Sequence, residues 1–369
     1  MSQSLSKSTA ARLKSAAKSI AKSKVVVGFD GFVDTIIEVV KTRHSATKIE
    51  RYTTMVDWAK RITAASGVSA NFELAIKMVK LGGNGPIMAN ALEAFDFATT
   101  YIGNLGNPNL HPVFADFAKR AKVISIAEPG YTDAYEFDDG KLMCGDQRGL
   151  QNVNWAELTR HVSEAELVEI FSASKLVAMV NWTMLTHLSD VFKKLLTRVM
   201  PKLKGEKRWV FFDLTDPAKR SREDLAEALT LVSKFEKHAR VILGLNLGEA
   251  RQVSEVLGLG PIEETYGTVA HAASQIRAKL KIDTVVVHPV QFAAGSDSSG
   301  SAHVEGPFCA APKITTGAGD HFNAGFCLGR MAGLTLEESL QAGVGTSGYY
   351  VRTAKSPKVA DLAKFLATL

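Results

Sequence analysis

The chain has 369 residues, 46% hydrophobic and 22% charged, the balance of a globular protein with a sizeable core. No apolar run reaches the roughly 18 residues of a membrane span, so a soluble protein with no membrane partner is expected. Six of the 44 basic residues, and no acid, fall in residues 1–24; the other 38 match the 38 acids, so the body lacks the basic excess of a nucleic-acid binder.

In the basic segment 1–24, Leu13, Ala16, Ala17 and Ile20 recur at helical spacing, and an added helix packed on the main domain is expected. A transit peptide has a similar composition, but an apolar run begins at once at Val25-Val26-Val27. Asp30 and Asp34 follow that strand. Residues 35–54 have Ile36, Val39 and Val40 ahead of a charged turn and read as part of a small accessory sheet. Helices are expected over 70–81 and 86–95, separated by Gly82-Gly83-Asn84-Gly85-Pro86. That stretch reads either as a turn with Pro near a helix start or as a backbone-lined pocket. Residues 134–143 have strand-like ends around Asp138-Asp139-Gly140, a hairpin pattern.

Further apolar runs lie at 175–180, 208–212, 240–243 and 284–287, with helices expected at 187–200, 221–238 and 262–280. Strands alternating with helices imply a mostly parallel sheet covered on both faces. The runs end in polar residues: Asp30, Asn181, Asp213, Asn246 and His288. Ligands of such sheets bind beyond the carboxyl ends of the strands, which places a site along this row. Asn246 and Glu249 read as a helix cap with its reciprocal Glu. Cys144, Cys309 and Cys327 form no CxxC pair, so neither a zinc site nor a disulfide framework is indicated, and a reducing cytoplasm fits.

The stretch ITTGAGDHFNAGF, 314–326, runs from β-branched residues through Gly317-Ala318-Gly319 to Asp320 and a helix. Free amides and the dipole at a helix start attract a phosphate, and small residues let it approach. Asp320 is either a cap or a base beside that anion site. Alcohol phosphorylation needs both parts within reach of one atom: amides for the phosphoryl charge and a carboxylate for the alcohol proton.

TTGAGDHFNAGF resembles the C-terminal signature of the ribokinase (PfkB) family of carbohydrate and nucleoside kinases. The resemblance implies a three-layer α/β/α sandwich over residues 25–369 with a small β lid from about 34–57 and 131–150. It implies transfer of the γ-phosphoryl group of ATP, with Mg²⁺, to a hydroxymethyl group of a sugar. Asp320 would be the base and Gly317, Ala318 and Gly319 the anion hole. Asp34, Asp30, Gly82, Gly83, Asn84 and Asn181 would line the acceptor side; Ile87 stands where the family usually has Asn. Asn246 and Glu249 would organise Mg²⁺ through water, with His288, Gly343 and Ser347 on the nucleotide side. His288-Pro289-Val290 replaces the family's Thr-x-Gly, and Ile314 replaces an Asp of its monovalent-cation site, which argues against a potassium requirement. A homodimer through the lid is implied as well. The rivals are a nucleoside or vitamin-like alcohol kinase, with Phe32, Trp58 and Trp182 as base-stacking residues, and a catalytically silent binding protein on the same fold.

Overall fold

The computed structural model describes residues 3–369. The strands are β1 (Lys24–Phe29), β2 (Phe32–Arg43), β3 (Ile49–Arg51), β4 (Glu73–Gly82), β5 (Ala98–Gly103), β6 (Lys122–Ser125), β7 (Gly130–Phe137), β8 (Gly140–Asp146), β9 (Leu176–Met179), β10 (Trp209–Asp213), β11 (Arg240–Leu245), β12 (Thr284–Val287), β13 (Phe292–Asp297) and β14 (Gly300–Glu305). The main sheet has the order β14-β13-β12-β11-β10-β9-β1-β5-β6. Every pairing from β12 to β6 is parallel, and β13 and β14 close one edge as an antiparallel hairpin.

Helices cover both faces because the central strands are apolar on both sides, as in Val25-Val26-Val27 and Thr284–Val287, all buried. One core holds Phe192, Phe212 and Phe235 under the helix Arg222–Phe235. The other holds Tyr101, Phe117 and Phe326 on the opposite face, under the helices Asn84–Ala94 and Ala318–Met331. The N-terminal helix Gln3–Ile20 buries Leu13 and Ile20 against the helices Leu336–Thr353 and Val359–Leu366, and Arg12 pairs with Glu338.

From β1 the chain proceeds through β5 and β6 on one side and returns through β9 on the other, so strand order reverses between β1 and β9. The polar residues that end β1, β9, β10, β11 and β12 therefore form one row across adjacent strands, the position where open parallel sheets bind ligands.

A second sheet has the order β3-β2-β7-β8 with β4 also paired to β2, and it meets that row where Asp30, just before β2, bonds to Asn84, just after β4. The helix expected at 70–81 is instead β4, paired antiparallel with Phe32–Val40 of β2. Leu74, Ile76 and Met78 alternate with Ala75 and Lys77, a period of two that the apolar content of the stretch masks. All three are exposed, at 43%, 64% and 56%. The helix expected over 187–200 is α-helical only at Leu188–Lys194, then widens into a π turn at Leu195–Val199. The segment expected at 262–280 becomes helical only at Tyr266, where Thr265 caps it.

Candidate active site

Asp30 follows β1 and is wholly buried. Its carboxylate accepts from the backbone amides of Asn84 (2.9 Å) and Gly85 (2.8 Å) and from Asn181 Nδ2 (2.7 Å). The first two are orphan amides at the start of the helix Asn84–Ala94, so a residue remote in sequence caps that helix. The glycines around it follow from this contact. Gly83 has φ +96°, and a Cβ on Gly85 would lie 2.3 Å from Tyr101 Oη and 2.7 Å from Asp30 Oδ1. Burial raises the Asp30 carboxyl to about 6 even though three donors pull the other way. Asp30, expected on the acceptor side, is 0% exposed in the absence of ligand, and its carboxylate holds the Asn84 and Gly85 amides and the Asn181 side chain together.

Asn84 connects this hub to the C-terminal signature, its Nδ2 donating to Asp320 Oδ1 at 3.0 Å. Asp320 is 6% exposed. Burial raises its pKa well above the usual carboxylate range, and the charges of Asp213, Asp30 and Glu249 add to the rise. Asp34 lies on β2 opposite Lys80 of β4 and Thr132 of β7. Gly82 gives it room, since a Cβ there would fall 2.4 Å from the carboxyl carbon. Burial raises the Asp34 pKa, opposed by Lys80, Thr132 and Lys141.

The helix Ala318–Met331 begins at Gly317, whose φ of +90° is left-handed. The amides of Gly317, Gly319 and Asp320 have no acceptor among the described residues, whereas Ala318 N donates to Thr315 O at 3.1 Å. Of the amides at 317–319 that the resemblance implies for an anion hole, that of Ala318 is engaged in the turn, and those of Gly317 and Gly319 are free, with the Asp320 amide free beside them. A Cβ at Gly317 would stand 3.0 Å from Ile87 Cγ2 and 3.3 Å from Tyr350 Oη. Gly317→Ala is expected to cost about 1–2 kcal/mol from the left-handed backbone alone. Thermal melting should register that loss, and turnover assays a larger fall in kcat than in substrate affinity.

Beside this loop lies a cavity of about 430 Å³ whose wall includes Asn246, His288, Ala318, Gly319, Phe322 and Ser347. Phe292, Phe308 and Val351 make the rest of it largely apolar. His288 packs on Phe322 with ring centroids 4.6 Å apart, and burial lowers its pKa to about 4, so it is neutral. Gly343 does not reach this cavity: its missing side chain makes room for the Phe322 ring, which a Cβ would approach to 2.7 Å.

Asn246 caps the helix Leu247–Val256, and Glu249 returns the bond to Asn246 N at 2.8 Å while its other oxygen accepts from Asp216 N at 3.1 Å. Both readings of this pair survive, since a capping box leaves the carboxylate beside the acid row. Burial and the charge of Asp213 raise Glu249 to about 8. Asp213 is itself buried, held by Thr215 and by Asn323 Nδ2 at 2.8 Å. No three His, Cys, Asp or Glu side chains among the described residues converge to hold a metal ion directly. Asp213 and Asn323 had no assigned role in the sequence, although Asp213 was visible as a polar strand end and Asn323 lies one helical turn beyond Asp320.

A family model for prokaryotic ketohexokinase matches residues 4–369. The chain belongs to the prokaryotic ketohexokinase family. Like other members of the ribokinase/PfkB group, it is a carbohydrate kinase, a phosphotransferase with an alcohol acceptor. It is 31% identical over 344 residues to a ketohexokinase of Haloferax volcanii, covering 93% of this chain and 90% of the relative. Similar solved structures include the ribokinase of Arabidopsis thaliana complexed with ribose and ATP (TM-score 0.64, 16% identity, 94% of this chain and 99% of that one). The phosphofructokinase-2 of Escherichia coli is another (TM-score 0.64, 17% identity, 95% and 99%). These two establish the ribokinase-like fold of this ketohexokinase-family chain. None of its described helices is long and apolar enough to cross a membrane.

Proposed function

We propose that the protein phosphorylates a hydroxymethyl group of a ketohexose with ATP as donor, Asp320 taking the alcohol proton. The observation that carries this reading is Asp320 beside the unpaired amides of Gly317, Gly319 and Asp320, with the cavity on one side of the loop and Asn84 on the other. The amides stabilise charge on the transferring phosphoryl group, and the carboxylate orients the attacking hydroxyl. Asp34, with Lys80 and Lys141 nearby, binds acceptor hydroxyls from the lid side, and Asn181 and Asn84 complete that wall. Lid closure excludes water that would otherwise accept the phosphoryl group.

ATP fits the cavity, whose apolar wall takes the base while Asn246, His288 and Ser347 face its polar part. Mg²⁺ fits the buried, mutually repelling acids Asp213 and Glu249, whose raised pKa values mark a place short of positive charge. With no direct set of three ligands, Glu249 would hold it through water and the nucleotide phosphates would supply the rest. Its chemistry would be neutralisation of phosphate charge.

The exposed apolar residues of β4, an edge strand, favour a homodimer through the lid. Core packing accounts for the three aromatic residues of the nucleoside reading: Phe32 is buried at 7% exposure, Trp182 is fully buried with its indole N–H on Ser189, and Trp58 packs with Phe72, Tyr135 and Phe137. A panel of ketohexoses, aldoses and nucleosides with Mg-ATP tests the assignment through ADP formation. The highest kcat/KM is expected for a ketohexose; a nucleoside ranking first would contradict it.

A further inference from the structure

His321 follows Asp320 directly, yet its side chain turns away from the acid row. The ring is 2% exposed and stacks on Tyr350, with centroids 3.5 Å apart and planes 13° from parallel. Nδ1 lies 2.7 Å from Gly317 O, and Nε2 lies 2.9 Å from Ser356 Oγ. Burial lowers the imidazole to about 4, so the ring is neutral and carries one N–H. A carbonyl oxygen can only accept, which places that hydrogen on Nδ1 and leaves Nε2 to accept from the Ser356 hydroxyl. Tyr350 Oη meanwhile donates to Thr316 O at 3.0 Å.

The carbonyl of one residue and the amide of the next share a rigid plane and point in opposite directions. Holding Thr316 O therefore aims the Gly317 N–H. Holding Gly317 O fixes the following peptide, whose Ala318 N–H is bonded to Thr315 O. Gly317 has a glycine's backbone freedom; its carbonyl accepts from the His321 backbone amide at 3.1 Å, and the imidazole adds a second donor to the same oxygen.

We propose that His321 and Tyr350 are positioning residues for phosphoryl transfer, clamping two successive peptide groups so that the Gly317 amide faces the transferring phosphate. This rests on reading the loop amides as the anion hole. Ser356 completes the clamp by donating its hydroxyl hydrogen to the Nε2 that this tautomer leaves as an acceptor.

Three variants separate positioning from packing. His321→Phe keeps the stacked ring and loses the Nδ1 donor; Tyr350→Phe loses only the hydroxyl. His321→Thr restores a donor, since threonine hydroxyls reach the carbonyl four residues back at Thr197, Thr230 and Thr346 of this chain, over 2.7–2.9 Å. Both Phe variants are expected to lower kcat about tenfold or more, with sugar KM within about twofold and only a small fall in melting midpoint from the lost buried hydrogen bonds. His321→Thr is expected to recover most of kcat. Full kcat in either Phe variant would overturn the proposal, as would a Thr variant no better than Phe, or a loss that appears in sugar KM alone. Asp320→Asn is assayed alongside. If it is inactive while His321→Phe is fully active, only the clamp is lost; if it is active, the reading of the loop beneath the clamp fails.

Discussion

Asp320→Asn is expected to lower kcat for sugar phosphorylation by about 10²–10⁴-fold, the usual worth of a general base, while raising the melting temperature of the free protein. Both effects have one cause. Burial and the charges of Asp213, Asp30 and Glu249 make the ionised form of Asp320 costly. Among the described residues its one side-chain partner is Asn84 Nδ2, at 3.0 Å. An amide carbonyl can still accept that bond, so the substitution removes the cost of either ionising or protonating the buried group and keeps the contact. Lost with the charge is the ability to take a proton. Persisting activity would make Asp320 a helix cap only, and a lower melting temperature would show that the carboxylate charge is stabilising after all.

Stability of the protein without ligands is expected to fall as pH rises from 6.5 to 8. In the folded chain Glu249 is raised to about 8, from an ordinary value of 4.5, and Asp213 and Asp320 are raised as well. Between the two values the folded state holds a proton that the unfolded chain has released. Stability contributed by such a group is complete below the unfolded value and is lost as pH climbs through the folded one. Asp30, raised to about 6, acts the same way at lower pH. His288 and His321, both lowered to about 4, oppose it there, because the unfolded chain binds their protons below pH 6.5. The unfolded histidines are half protonated at 6.5 and have lost about nine-tenths of their protons by 7.5, so their opposition fades across this range and the carboxyl groups dominate its upper part. Each fully linked proton is worth about 1.4 kcal/mol per pH unit. Chemical denaturation at pH 6.5, 7.25 and 8 checks the slope; stability that is flat or rises over that range would refute the assignment of raised pKa values.

Several parts of the fold could be read from residue order because burial on both faces leaves a mark. The runs at 25–27, 175–180, 208–212, 240–243 and 284–287 are apolar without alternation, and each forms a strand of the main sheet. Their polar ends gave away the row of the site. The accessory sheet left a fainter mark. β4 is exposed along much of its length, so its apolar residues do not divide into a buried and a solvent face, and a helical period fitted Leu74–Leu81 as well.

Inside the site, residue type was readable and partnership was not. Asp30 stood out as an acid after a strand, but its bonds go to Asn84 and Gly85, more than fifty residues away. Nothing local distinguishes a carboxylate that caps a distant helix from one that meets a hydroxyl. Gly343 has the same difficulty: its smallness serves the Phe322 ring, a neighbour only in space. His321 and Tyr350, twenty-nine positions apart, become one stacked pair only when the helices Ala318–Met331 and Leu336–Thr353 pack together.

The most direct measurement of the central claim follows the phosphoryl group itself. With Mg-ATP labelled at the γ-phosphorus and a ketohexose, the label should appear as a phosphoester on a hydroxymethyl oxygen, one per ADP formed. The Asp320→Asn protein should give almost none. Label released as free phosphate, or a phosphosugar formed equally well by that variant, would contradict the account.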